Sequence, residues 1–112
     1  MSEKPGADRK RTAPRVAGKG IRLELDKGAG KLIDISEQGM RIARHEPAEV
    51  GSTLLATLAA GDQRLRVEGK VAWCNAETHP VDGQVYEIGV VFRTSNPRAL
   101  QRAIFELFMA AG

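Results

Sequence analysis

The sequence predicts a mainly β fold: a small six-stranded antiparallel β-barrel with a C-terminal α-helix over one opening and a flexible basic N-terminal arm. Three observations predict it. Short segments of alternating apolar and polar residues recur through residues 21–92, clusters of turn-forming residues separate them, and one amphipathic segment follows them near the C-terminus. A length of 112 residues fits a single domain with one core.

The first half of this pattern predicts three strands. Ile21, Leu23 and Leu25 alternate with charged residues, as in a strand with one buried face, and the turn-forming residues 27–30 end that strand. Residues 31–35 and 39–43 then predict two short strands that are hinged at residues 36–38. The hinge lies at a strand end, where a rigid sheet commonly presents ligand-contacting groups.

The second half predicts three more strands and the helix. Residues 53–59 would also suit a helix by propensity, but glycines bracket them at hairpin spacing and favour a strand. Residues 64–73 alternate most clearly, and their phase places Trp73 with the core residues. Residues 75–84 are predicted to form a loop, and residues 85–92 the last strand.

The predicted helix begins at Asn96-Pro97, a capping side chain followed by proline at the first helical position. Its apolar residues recur at helical spacing on one face, at Leu100, Ile104, Leu107 and Phe108. This face is therefore expected to pack on the sheet.

The N-terminal segment differs from the rest of the chain in composition. Residues 1–14 hold two prolines, six charged side chains and almost no apolar side chain, so they cannot bury enough surface to order themselves. Residues 1–22 carry a net charge of +5, which leaves −2 for the remainder of a chain whose total is +3. We therefore expect a disordered tail over residues 1–8, one domain over residues 9–112, and a local attraction for anions.

Two short patterns could bind such an anion. Arg11-x-x-x-Arg15 supplies two planar guanidinium forks for phosphate or for the O6/N7 edge of guanine, and Asp34-x-Ser36-x-x-Gly39 places a carboxylate and a hydroxyl before a position without a side chain. The second pattern would also suit a turn that satisfies its own backbone amides, with Gly39 as a bulge glycine.

In this order and spacing, the two patterns resemble the signature of the PilZ family, bacterial receptor domains for the second messenger cyclic di-GMP. Residues 69–73 and 86–92 also look like later strands of that family, so the resemblance covers about residues 9–109. It implies the same barrel and helix, and a cyclic di-GMP receptor whose basic arm closes over the ligand to signal to a downstream protein partner.

The resemblance also implies a role for each motif residue. Arg11 and Arg15 would bind phosphate and guanine O6/N7, and Asp34 would accept hydrogen bonds from guanine N1 and N2. Ser36 would bind the N2 edge or hold a loop amide, and Gly39 would let backbone approach the base or take a positive φ.

Two further basic residues, Arg9 and Lys10, belong to the expected ligand site. The residue before the first motif arginine is thought to influence whether such domains bind one ligand or an intercalated pair. Because the ammonium of Lys10 stacks on guanine less well than a guanidinium, we expect one ligand per chain.

Other functions find less support. The sequence lacks a catalytic motif, and Cys74, His45 and His79 are isolated, so no enzyme, cofactor or metal site is expected. Few aromatic side chains are available for stacking, so nucleic acid is not expected as a partner. Without a signal peptide or a membrane span, the protein is predicted to be cytoplasmic. The alternative function is a PilZ-like protein-interaction module that does not depend on nucleotide.

Overall fold

The computed structural model describes residues 16–112, which form a single antiparallel sheet and one helix. The elements are β1 (Val16–Ala17), β2 (Arg22–Leu25), β3 (Lys31–Ile35), β4 (Gly39–Arg44), β5 (Thr53–Ala60), β6 (Gln63–His79), β7 (Gly83–Phe92) and α1 (Pro97–Ala111). The strand order is β1-β3-β4-β7-β6-β5-β2. All six predicted strands are confirmed, and the two-residue β1 joins them at one edge.

The sheet curls into an incompletely closed barrel around the core. The edge strand β2 contacts β3 on the far side of the sheet, although no ladder of hydrogen bonds joins the two. Side chains on the concave face are almost completely buried, among them Ile35, Met40, Ile42, Leu58 and Ile88. The predicted mainly β barrel is therefore confirmed, with an opening between β2 and β3.

The hairpin of β6 and β7 is longer than predicted. The ladder continues to the pair His79 and Gly83, so the prediction of a loop over residues 75–84 is wrong. β4 pairs with β7 only as far as Tyr86, and residues 75–79 of β6 are exposed. Because this end of the hairpin extends beyond the core, both of its faces are polar, and the alternation that reveals a half-buried strand is missing.

The helix begins where the sequence predicts. The side chain of Asn96 accepts a hydrogen bond from the amide of Ala99 at 3.1 Å, and Pro97 follows the cap. Ile104 and Leu107 are buried against β5 and β6, with the partly buried Leu100 and Phe108 beside them. Within residues 16–112, no helix is long and apolar enough to cross a membrane.

Candidate functional site

The convex face of the sheet carries a row of chemically distinct residues on four neighbouring strands. Asp34 of β3 pairs with Arg41 of β4, Arg41 pairs with Gly89 of β7, and Gly89 pairs with Trp73 of β6. Directly paired residues project to the same side of a sheet. The register therefore presents a carboxylate, a guanidinium and an indole side by side, with a glycine between the last two.

Asp34 and Arg41 form an ion pair within this row. The Arg41 Nε donates to Asp34 Oδ2 at 2.9 Å, and Nη2 donates to the same oxygen. Arg41 Nη1 also lies 3.7 Å from a carboxylate oxygen of Glu87 on β7. The hydrogen bond from Arg41 to Asp34, together with the two nearby carboxylates, raises the pKa of the guanidinium above its usual value. Arg41 is thus held charged and in a fixed orientation, with 38% of its side chain exposed.

The turn between β3 and β4 is closed by Ser36. This residue is 3% exposed, its amide donates to the carbonyl of Gly39 at 2.8 Å, and its hydroxyl accepts from the amide of Gln38 at 3.2 Å. The carbonyl of Gln38 in turn accepts from the amide of Phe92 at 2.9 Å, which ties the turn to the end of β7. Ser36 therefore holds a loop amide, one of the two roles expected for it.

Gly39 is required by the packing of β4 against β7. A Cβ at this position would lie 2.2 Å from the carbonyl oxygen of Val90. Five glycines in residues 16–112 have a positive φ, and Gly39 is not among them. Of the two alternatives expected for Gly39, the positive φ is therefore wrong. The close approach that the glycine permits is to the neighbouring strand.

Trp73 lies on the convex face, so the prediction that it packs in the core is wrong. A register shift between Val71 and Trp73 reverses the phase of β6, so that Cys74 rather than Trp73 contacts the core. The indole instead covers Gly89, where a Cβ would meet its ring atoms at 2.3 Å. Only a glycine on β7 allows the ring to lie so close to the sheet.

A groove of about 740 Å³ connects these features. It begins at Trp73 and Gly89, passes Arg41 and the 37–39 turn, and ends at the start of α1, where Thr94, Pro97 and Leu100 line it. Asp34 and Ser36 do not line the groove. They lie behind it, where Asp34 fixes Arg41 and Ser36 fixes the turn. The volume suits a small organic ligand.

The remaining predicted site residues, Arg9, Lys10, Arg11 and Arg15, lie outside the described residues. The described chain begins at Val16, which pairs with Ile35, the residue before Ser36. In residues 16–112, no group of three or more His, Cys, Asp or Glu side chains could hold a metal ion.

Sequence inspection missed two residues of the site, Arg41 and Trp73. With the turn at residues 37 and 38 rather than 36–38, Arg41 could have been found, because Ser36 then pairs with Gly39 and Arg41 lies directly across from Asp34. Trp73 could not, since no feature of the sequence marks the irregularity before it.

Comparison with known proteins gives two results. A family model described as PilZ domain matches residues 9–110. MrkH of K. pneumonia has a similar fold in two structures. Its complex with c-di-GMP matches with a TM-score of 0.64 and 18% identity, over 90% of this chain and 53% of MrkH. Its apo state matches with a TM-score of 0.66 and 14% identity, over 99% of this chain and 55% of MrkH. The chain thus spans about half the length of MrkH, and at this identity the likeness concerns the fold. No curated protein sequence matches the chain.

Proposed function

Because the chain belongs to the PilZ domain family, we propose that it is a receptor for cyclic di-GMP and binds this ligand in the groove beside the 37–39 turn. One observation carries the proposal: the residues matched to the family include both Arg11-x-x-x-Arg15 and Asp34-x-Ser36-x-x-Gly39, and the last three residues of the second pattern line the groove. A solved complex of MrkH with c-di-GMP, whose fold is similar, gives further support.

The ligand needs two kinds of contact. Its two phosphates carry one negative charge each, and each guanine presents an acceptor edge at O6 and N7 and a donor edge at N1 and N2. Donors for the phosphates and the acceptor edge come from the basic residues Arg9, Lys10, Arg11 and Arg15. A charge-assisted hydrogen bond of this kind contributes about 1.5–3 kcal/mol.

The covalent geometry of the chain permits these contacts. Val16 lies beside Ile35, and Arg15 is bonded to Val16, so their Cα atoms are about 3.8 Å apart. Arg11 precedes Val16 by five residues and can reach at most about 17 Å from it. Both arginines are therefore within reach of a ligand at the 37–39 turn.

The barrel supplies the second set of contacts. Arg41 points a charged guanidinium into the groove, where it can donate to guanine O6/N7 or to a phosphate. The carboxylate of Asp34, which accepts from Arg41 through Oδ2, is the group that the family resemblance assigns to guanine N1 and N2.

Trp73 completes the site as a stacking surface. Its indole lies on Gly89 at one end of the groove and on the same face as Arg41. Stacking of a nucleic-acid base on an aromatic side chain contributes about 1–3 kcal/mol. A guanine on this ring would lie on the same face of the sheet as Arg41, two strands away.

The proposed signal follows from the difference in composition between the N-terminal arm and the barrel. Residues 9–14 are polar and basic, so we infer that they become ordered when the ligand neutralises their charge. Ordering them costs about 6–12 kcal/mol, at roughly 1–2 kcal/mol per residue, which keeps the affinity moderate. The ordered arm and the ligand then form a composite surface that a downstream protein partner in the cytoplasm can recognise.

Calorimetric titration tests the proposal. Cyclic di-GMP should bind saturably with a stoichiometry near one per chain, whereas GTP and single-stranded DNA should give little heat at the same concentrations. Tighter binding of single-stranded DNA would favour a nucleic-acid function, and the absence of binding to all three would contradict the proposal.

A further inference from the structure

The helix α1 carries a second stripe of residues on the side opposite its buried face. Arg98, Arg102, Phe105 and Met109 recur at spacings of four, three and four residues, which keeps them on one face of a helix. Phe105 is 61% exposed and Met109 is 67% exposed. Half of this outer stripe is therefore basic and half is apolar, and all of it faces solvent.

The charges on α1 oppose the dipole of the helix. A helix favours acidic side chains near its N-terminus and basic ones near its C-terminus. Here the first turn contains Arg98 and no acid, and the last turn contains no base. Neither Arg98 nor Arg102 forms an ion pair with any residue in the range 16–112. The outer stripe is thus poorly suited to a helix that remains alone in solvent.

We propose that the outer stripe packs against the outer stripe of a second copy of this chain, with the two helices antiparallel, to form a symmetric dimer. The spacing of four, three and four is the same in both directions, so one antiparallel register aligns every member. Arg98 then lies opposite Met109 of the other copy, and Arg102 lies opposite Phe105. Each contact occurs twice, as the two-fold symmetry of an isologous interface requires.

In this register, each helix places a cation where the dipole of the other helix favours one. Arg98 of each copy comes beside the C-terminal carbonyl groups of the other helix, where a cation is favoured and the chain itself supplies none. Arg102 lies on the ring of Phe105 of the other copy, a cation–π contact, with Glu106 of that copy on its flank. A parallel arrangement would instead bring like arginines together.

The size of the interface predicts a weak dimer. A 15-residue helix is about 22 Å long, so two such helices bury less than the roughly 1,200–2,000 Å² of a stable complex. The dimer should therefore form in the micromolar to millimolar range and dissociate on dilution. Added salt should weaken it, because the contacts of Arg98 and Arg102 are screened.

Sedimentation equilibrium of the full chain tests this proposal without any ligand. Between about 10 μM and 1 mM, the average mass should rise from 12.1 kDa toward twice that value. Arg102→Glu places like charges at the interface and should raise the dissociation constant about ten-fold or more. Adding Glu106→Arg to that variant restores opposite charges across the symmetry axis and should recover most of the association.

A matched control separates the outer stripe from general surface apolarity. Val81, in the turn between β6 and β7, is 91% exposed, and Val81→Ser should leave the association unchanged, whereas Phe105→Ser should abolish it. A protein that stays at 12.1 kDa over the whole range overturns the proposal. So does a dimer that tolerates Phe105→Ser, or one that Arg102→Glu weakens and Glu106→Arg does not recover.

Discussion

Gly89→Ala should weaken cyclic di-GMP binding although residue 89 presents no functional group to the ligand. A Cβ on residue 89 would lie 2.3 Å from two atoms of the Trp73 indole and 2.7 Å from a third. Non-bonded carbon atoms normally lie about 3.5–4.0 Å apart, so the ring must move by about 1.2–1.7 Å. The added methyl group therefore displaces the proposed stacking surface without removing it.

The expected loss of affinity is bounded by the stacking energy. A displaced ring can lose up to the roughly 1–3 kcal/mol of a base–aromatic contact, which corresponds to about a 5- to 150-fold rise in Kd. Trp73→Ala should give a loss in the same range. Folding should be affected less by Gly89→Ala than by a core substitution, because the atoms that the methyl group meets belong to a side chain on the convex face.

A double-mutant cycle provides the assay. If the methyl group acts only through the ring, Gly89→Ala should have little effect on Kd in a Trp73→Ala background, so the two losses should not add. Calorimetry gives the four Kd values, and emission of Trp73, the only tryptophan, reports the ring's displacement in Gly89→Ala. Wild-type affinity in Gly89→Ala, or two fully additive losses, would refute the stacking role.

Four other substitutions test the remaining parts of the site. Arg11→Ala and Arg15→Ala should each raise the Kd for cyclic di-GMP about ten-fold or more, with Tm nearly unchanged, since each loses a charge-assisted contact; wild-type affinity in both would contradict the arm's role. Asp34→Asn replaces an acceptor by a mixed group and should reduce the preference for cyclic di-GMP over cyclic di-AMP, as compared by calorimetry; an unchanged preference would exclude Asp34 from base recognition. Gly39→Ala should lower stability by about 1–3 kcal/mol in a denaturant titration, because its Cβ meets a backbone carbonyl; a wild-type midpoint would argue against the close approach of β4 and β7.

Most of the fold could be predicted because the residues of the core strands alternate with a period of two. Strands that bury one face alternate apolar and polar residues, and residues 64–71 of β6 show this without interruption. The signals at Asn96 and Pro97 likewise mark the start of α1, because local chemistry caps a helix. The far end of the β6–β7 hairpin has no buried face, so it could be recognised only by the ladder that it forms.

The site was predicted less completely than the fold. Local motifs marked Asp34, Ser36 and Gly39 as candidates, but they did not show that the first two lie behind the groove while Arg41 lines it. The position of Trp73 depends on a one-residue irregularity in β6 and on the absence of a side chain at Gly89, two residues that are distant in sequence. Such a contact arises from tertiary structure, and periodicity along one strand cannot reveal it.

Hydrogen exchange with and without saturating cyclic di-GMP tests most directly whether the arm and the barrel bind one ligand together. Exchange should become slower in three segments: residues 9–15, residues 34–39, and the part of β6 around Trp73. Regions away from the groove, such as the tip of the β6–β7 hairpin, should exchange at the same rate in both states. Unchanged exchange of residues 9–15 would contradict closure of the arm, and unchanged exchange of all three segments would contradict the site itself.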